Sequence, residues 1–107
     1  MDIHHLRAFQ EVARVLSFTE AARNLYRAQS TVTGQIKSLE KVLGVQLFHR
    51  KGRCPIELTE AGLLLQQRAA LILDAVDSAN RDVKQAARPR RGLRSGGKAT
   101  GGVRLRA

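Results

Sequence analysis

The sequence predicts a mainly α fold, in which a head of three short helices and a small β-hairpin runs on into one long helix. Three observations predict it. Apolar residues recur at three- and four-residue steps in successive segments, the period of amphipathic helices. Residues that start and stop helices punctuate those segments. Between the third and fourth helical segments, two short apolar stretches flank a polar, Gly-containing run, the pattern of a hairpin. A length of 107 residues suits one modest core, and with 4% aromatics and no Trp that core must be mainly aliphatic.

Ile3, Leu6, Phe9, Ala13 and Leu16 define the first helix, over 3–16. It ends near Ser17, where "SFTE" gives Ser-x-x-Glu, a capping box. Ser17 would take an orphan N–H of the next helix, and Glu20 would reach back to the Ser17 N–H. That second helix, about 18–25, is short and Ala-rich (Ala21, Ala22, Leu25), which allows another helix to approach closely. "YRA" at 26–28 breaks the pattern. The third helix, about 29–42, buries Val32, Ile36, Leu39 and Leu43 and stops at Gly44. Val45, Leu47 and Phe48, then Ile56 and Leu58, flank "HRKGR", a hairpin with a basic tip. Pro55 keeps its second strand at an edge.

Thr59 is the N-cap of a helix over 60–87, about 42 Å long at 1.5 Å per residue. Leu65, Ala69, Ile72, Val76, Ala79 and Val83 step alternately by four and three, the spacing of a coiled-coil seam. The alternative is a helix packed on its own domain. From Pro89 the composition turns to Gly and Arg with no periodicity, which reads as a disordered basic tail. The expected division is therefore a head over 1–58, a dimerisation helix over 59–88 and a tail over 89–107.

Net charge is +10, which points first to polyanions such as nucleic acid. Residues 1–87 hold 12 Lys and Arg against 9 Asp and Glu; residues 88–107 hold 7 and none, so most of the basicity is in the tail. The single cysteine, Cys54, cannot form an internal disulfide and suits a reducing cytoplasm. No signal peptide is visible at the N-terminus, and no stretch approaches the ~20 apolar residues of a membrane span. His4, His5 and His49 have no metal-ligand spacing, and no nucleophile–base pair or phosphate-binding Gly loop is present. No cofactor and no enzymatic activity are expected.

Helix, short break, helix with a small polar outer face, then a basic hairpin is the plan of a winged helix-turn-helix. A helix lying in the ~12 Å major groove cannot carry bulky side chains all over its outer face. Ser30, Thr33 and Gly34 meet that condition. Gln29 can make a bidentate amide contact with adenine, Thr33 offers a hydroxyl and a methyl, and Lys37 and Lys41 continue toward phosphates. Thr31 belongs to the same helix start, whose N–H groups also suit a phosphate. The alternative is an ordinary solvated helix face, and for the hairpin tip a solvated loop.

The stretches "LRAFQEVARVLSFTEAARNL", "AQSTVTGQIKSLEKVLGVQLF", Arg50 and "LTEAG" at 58–62 are similar to the N-terminal region of LysR-type transcriptional regulators. The resemblance covers about four fifths of the chain. It implies a dimeric, sequence-specific DNA-binding regulator of the bacterial cytoplasm, on partly palindromic promoter sites. The recognition helix would be 29–42, with Gln29, Ser30, Thr31, Thr33, Gly34 and Lys37 on DNA. The wing would be 49–54, with Arg50 toward phosphate and Arg53 toward the minor groove. Leu65, Ala69, Ile72, Val76, Ala79 and Val83 would join two copies. An alternative function is an interaction module that forms mixed dimers with full-length relatives. The family's α/β effector-binding domain has no counterpart beyond "RGLR" at 91–94, so no small-molecule effector is expected for this chain. The chain also departs from the family at Arg27, Ala28 and Gly34, where an aliphatic residue, Ser or Thr, and Arg are commoner, and the wing is one residue longer around Cys54-Pro55.

Overall fold

The computed structural model describes residues 1–49 and 56–88. In them the element order is α1 (Ile3–Val15), α2 (Phe18–Asn24), α3 (Gln29–Leu43), β1 (Phe48–His49), β2 (Glu57–Leu58) and α4 (Glu60–Ala87). The mainly helical fold with a two-stranded antiparallel sheet is as the sequence predicts. Arg50, Lys51, Arg53, Cys54 and Pro55 at the hairpin tip, and the tail from Pro89, lie outside the described residues.

Local chemistry sets the helix ends. Asp2 caps α1 by accepting the His4 N–H at 2.7 Å, a bond that holds its carboxyl below the usual carboxylate range. Ser17 caps α2 through the Glu20 N–H at 3.1 Å. Glu20 is exposed, and the return bond to the Ser17 N–H is not among the bonds of the described residues, so half of the expected box forms. The α2–α3 break is a Schellman turn: the Arg27 N–H reaches the Ala22 carbonyl at 2.9 Å, and the Tyr26 N–H reaches Arg23 at 3.1 Å. Tyr26 takes the left-handed position (φ 57°), where a Cβ costs about 1 kcal/mol. Gly44, also left-handed, ends α3 at no such cost.

Helices α1, α2 and α3 pack on one another around Leu6, Phe9, Val12, Ala21, Ala22, Val32, Ile36 and Leu39, all buried. Phe48 joins them from β1. Its ring lies 5.5 Å from Phe9 and 5.8 Å from Phe18, so all three phenylalanines meet in one cluster. A second tie crosses the surface between α1 and α2, where Glu11 accepts from both Arg14 and Asn24. Those bonds, Arg14 first, pull the Glu11 carboxyl below its ordinary range.

β1 and β2 pair Phe48 with Leu58 and His49 with Glu57. Val45 lies outside the strand and is exposed. Thr59 does the capping work expected of it, accepting the Gly62 N–H at 3.0 Å and donating its own hydroxyl to the Gln46 carbonyl at 2.7 Å. Gly62 lets this corner close: a Cβ there would sit 2.2 Å from the Leu47 carbonyl oxygen.

Leu65, Ala69 and Leu73 of α4 are buried in the same core as α1–α3. The first compact unit runs from Met1 to Asp77, and a second unit begins at Ser78. An ion pair between Arg7 and Asp77, 3.1 Å, lies at the end of the first unit.

Candidate nucleic-acid interface

The outer face of α3 is built by subtraction. Val32, Ile36 and Leu39 turn inward and are fully buried. Gln29, Ser30, Thr33, Gly34 and Lys37 remain, and together they line a shallow open depression. None of the five is acidic, and only Lys37 is long and charged. Apart from its chain neighbours and the nearby backbone of α3 itself, nothing lies within 4 Å of where a Gly34 Cβ would stand. Thr31 is exposed but does not line the depression.

The N-terminus of α3 is bare. Ala28 is its N-cap residue and has no side-chain oxygen, so no side-chain cap bond forms. Among the described residues the Gln29 and Ser30 N–H groups have no acceptor, which leaves them for an external one. Gln29 itself is held from outside its helix: Thr19 of α2 donates its hydroxyl to Gln29 Oε1 at 3.0 Å. The sequence reading did not single out Thr19. Its contact joins two helix ends ten residues apart, which no periodicity reports; its only signal was its place beside the Ser17 cap.

Arg50 and Arg53 fall outside the described residues, so β1 and β2 fix only the base of the wing.

The residues expected at the dimer seam separate. Leu65 and Ala69 are not free for a partner, because they fill this chain's own core together with Leu73. Ile72 is partly exposed, Val83 is exposed, and Val76 is half-buried; Ala79 is exposed. In the first unit, the large apolar side chains left uncovered on α4 are Leu63, Leu64, Leu71 and Ile72. Leu64 and Leu71 are seven residues apart and share one side of the helix, with Ile72 next to them. This row is offset from the expected seam because the head occupies the side that carries Leu65.

No helix among the described residues is long and apolar enough to cross a membrane. No group of metal-ligating side chains occurs among them.

Comparison with known proteins gives a consistent result. The regulator YofA of Bacillus subtilis is 40% identical over 96 residues, which is 90% of this chain and 33% of YofA. The Hca operon transcriptional activator HcaR of Escherichia coli is 40% identical over 79 residues, 74% of this chain and 26% of HcaR. This chain thus spans about a third or less of the length of these relatives. Among solved structures, the BenM_DBD/catB site 1 DNA complex superposes with a TM-score of 0.80 at 37% identity, covering 85% of this chain and all of that one. The CbnR_DBD–DNA complex gives 0.76 at 35% identity, covering 82% of this chain and all of that one. The family described as bacterial regulatory helix-turn-helix protein, lysR family, matches residues 3–63. On these grounds the chain belongs to the LysR family of bacterial helix-turn-helix regulatory proteins.

Proposed function

We propose that this chain is a sequence-specific DNA-binding transcriptional regulator of the bacterial cytoplasm, acting on a partly palindromic duplex site as a dimer. The observation that carries the reading is the outer face of α3. A helix with its side chains is ~10–12 Å across, and the major groove is ~12 Å wide. The small side chains of Ser30, Thr33 and Gly34 let the helix enter; Gln29 and Thr33 supply polar groups for base edges. Lys37 and the bare α3 N-terminus face phosphates, and Arg50 and Arg53 extend the footprint along the backbone and the minor groove. The likeness to solved domains in DNA complexes supports this mode.

Two copies would join along α4 through Leu64, Leu71 and Ile72, the apolar row that the head leaves uncovered. Val76, Ala79 and Val83 would extend the joint. The two recognition helices would then face two half-sites, which explains a palindromic target.

The test is selection from a randomised duplex pool at two salt concentrations. Gln29→Ala should change the enriched site, at a cost of ~1–3 kcal/mol on it, and leave random DNA nearly unaffected. Arg50→Ala should weaken binding to all DNA alike and reduce the salt slope by ~0.9, one phosphate contact. Identical preference profiles and slopes for the two variants would mean that α3 is an ordinary solvated surface.

A further inference from the structure

The first unit also holds a smaller, partly enclosed cavity of about 110 Å³. His4, Arg7 and Ala8 of α1, Leu25 and Arg27 of the α2–α3 break, and Gln35 of α3 line it. It shares no residue with the α3 depression. Two of its lining side chains are arginines, one is a histidine, and none is acidic. The Arg27 guanidinium has no hydrogen bond or ion pair with any described residue. Arg7 gives Nη2 to Asp77 at 3.1 Å, and a guanidinium has five N–H donors, so most of its donors remain. Gln35 adds an independent observation: its Oε1 is buried and has no hydrogen-bond partner among the described residues. Buried polar atoms left unpaired are rare and costly. Size narrows the occupant. At ~30 Å³ per water the cavity takes about three or four waters, whereas a drug-sized ligand needs roughly 300 Å³ or more. One tetrahedral oxyanion suits these limits; a nucleoside does not.

We propose that this cavity binds a phosphate group, with Arg27 as its principal ligand and Arg7, His4 and Gln35 as its other partners. The planar fork of a guanidinium matches two phosphate oxygens at once. Gln35 suits the group whichever way its amide is turned: its N–H groups donate to any phosphate oxygen, and its oxygen accepts from the P–OH of a free ion. The group belongs either to the DNA backbone or to a free phosphate, which offer the guanidinium the same oxygens. All four ligands lie outside the α3 depression, so the site does not depend on base reading by α3.

Inorganic phosphate is titrated into the isotope-labelled full chain at constant ionic strength, with chloride as the control, and read by NMR. The amide signals of His4, Arg7, Arg27 and Gln35 should shift and saturate with phosphate and stay in place with chloride. Arg27→Leu should weaken phosphate binding by about tenfold or more, the loss of a charge-assisted contact. Arg27→Lys keeps the charge and should keep most of the affinity. Arg27 is exposed, so neither variant disturbs the core. Duplex binding by wild type and Arg27→Leu, measured against salt, then identifies the source of the group. A slope lower by ~0.9, an unchanged base preference and competition between phosphate and duplex assign it to the DNA backbone. An unchanged slope, with phosphate and duplex bound together, assigns it to a free ion. Absence of a saturable shift overturns the proposal: the cavity then holds only water, and a changed slope would put Arg27 on the backbone from outside it. Equal phosphate affinity in Arg27→Leu, or shifts centred on Gln29 and Ser30 instead, also overturns it. A wild type that binds phosphate at Arg27 but enriches no duplex site would sink the reading of α3 and leave this site standing.

Discussion

Two apolar rows run along the first half of α4, and they differ in what covers them. The inner row, Leu65, Ala69 and Leu73, is buried against the head. The outer row, Leu64, Leu71 and Ile72, is exposed in the single chain. Leu71 and Leu73 are only two residues apart, yet the first is 65% exposed and the second 3%. The inner row stabilises the head, and the outer row is the one proposed above to meet a second copy. Composition does not separate them, since both rows are aliphatic.

The largest effect should come from the inner row. Leu73→Ala should destabilise the head by about 2–4 kcal/mol, as for other buried leucines, whereas Leu71→Ala should cost well under 1 kcal/mol. Urea unfolding of both variants, at a concentration where both have the same oligomeric state, checks this; equal losses would erase the distinction between the rows. Gly62→Ala is the next largest. Its Cβ would press on the Leu47 carbonyl, part of the backbone, so a loss of about 1–3 kcal/mol is expected in the same measurement.

Smaller effects sharpen the edges of the comparison. Asp77→Asn removes the ion pair to Arg7 where the first unit ends. Both partners are more than a third exposed, so the loss should be under ~1 kcal/mol and should shrink in high salt. Glu11, away from α4, serves as a reference. Its bonds to Arg14 and Asn24 lower its folded-state pKa, so it stabilises the fold above the ordinary carboxylate range. That contribution is lost as pH falls through the lowered value, and Glu11→Gln should flatten this part of a pH–stability curve. The smallest expected change in stability is that of the double variant Leu64→Glu/Leu71→Glu. Its monomer should melt almost as the wild-type monomer does, but it should sediment as a monomer at concentrations where the wild type pairs. Unchanged sedimentation would remove the outer row from the interface.

The same contrast marks how far the sequence could be read. The helices were legible because their signals are local: Ser17 and Thr59 as caps, Gly44 as a stop, and apolar steps of three and four. The inward face of α3 followed from Val32, Ile36 and Leu39, and its outward face followed by exclusion. On α4 the same method places Leu65 and Ala69 in a seam for a second copy, whereas in the single chain they lie in the head's core beside Leu73. Periodicity identifies an apolar side but not what packs on it, and with leucines at 63, 64, 65, 71 and 73 several rows can be drawn. Thr19 was missed for a related reason. Its importance comes from a hydrogen bond between two helix ends, a property of the α2–α3 turn and not of either helix pattern.

Gly34 has a consequence for how such a protein can acquire a new target. The space beside it is open, so a Cβ added there meets no other part of the fold than its own helix. The three residues that anchor α3, Val32, Ile36 and Leu39, lie on the opposite side and leave no room for change. On the proposed reading of α3, one codon would alter what the helix reads while the scaffold's stability is untouched or improves, since glycine inside a helix is unfavourable by ~1 kcal/mol relative to alanine. Retargeting and folding are nearly independent traits at this position. A lineage could explore new binding sites through residue 34 without first gaining stability elsewhere.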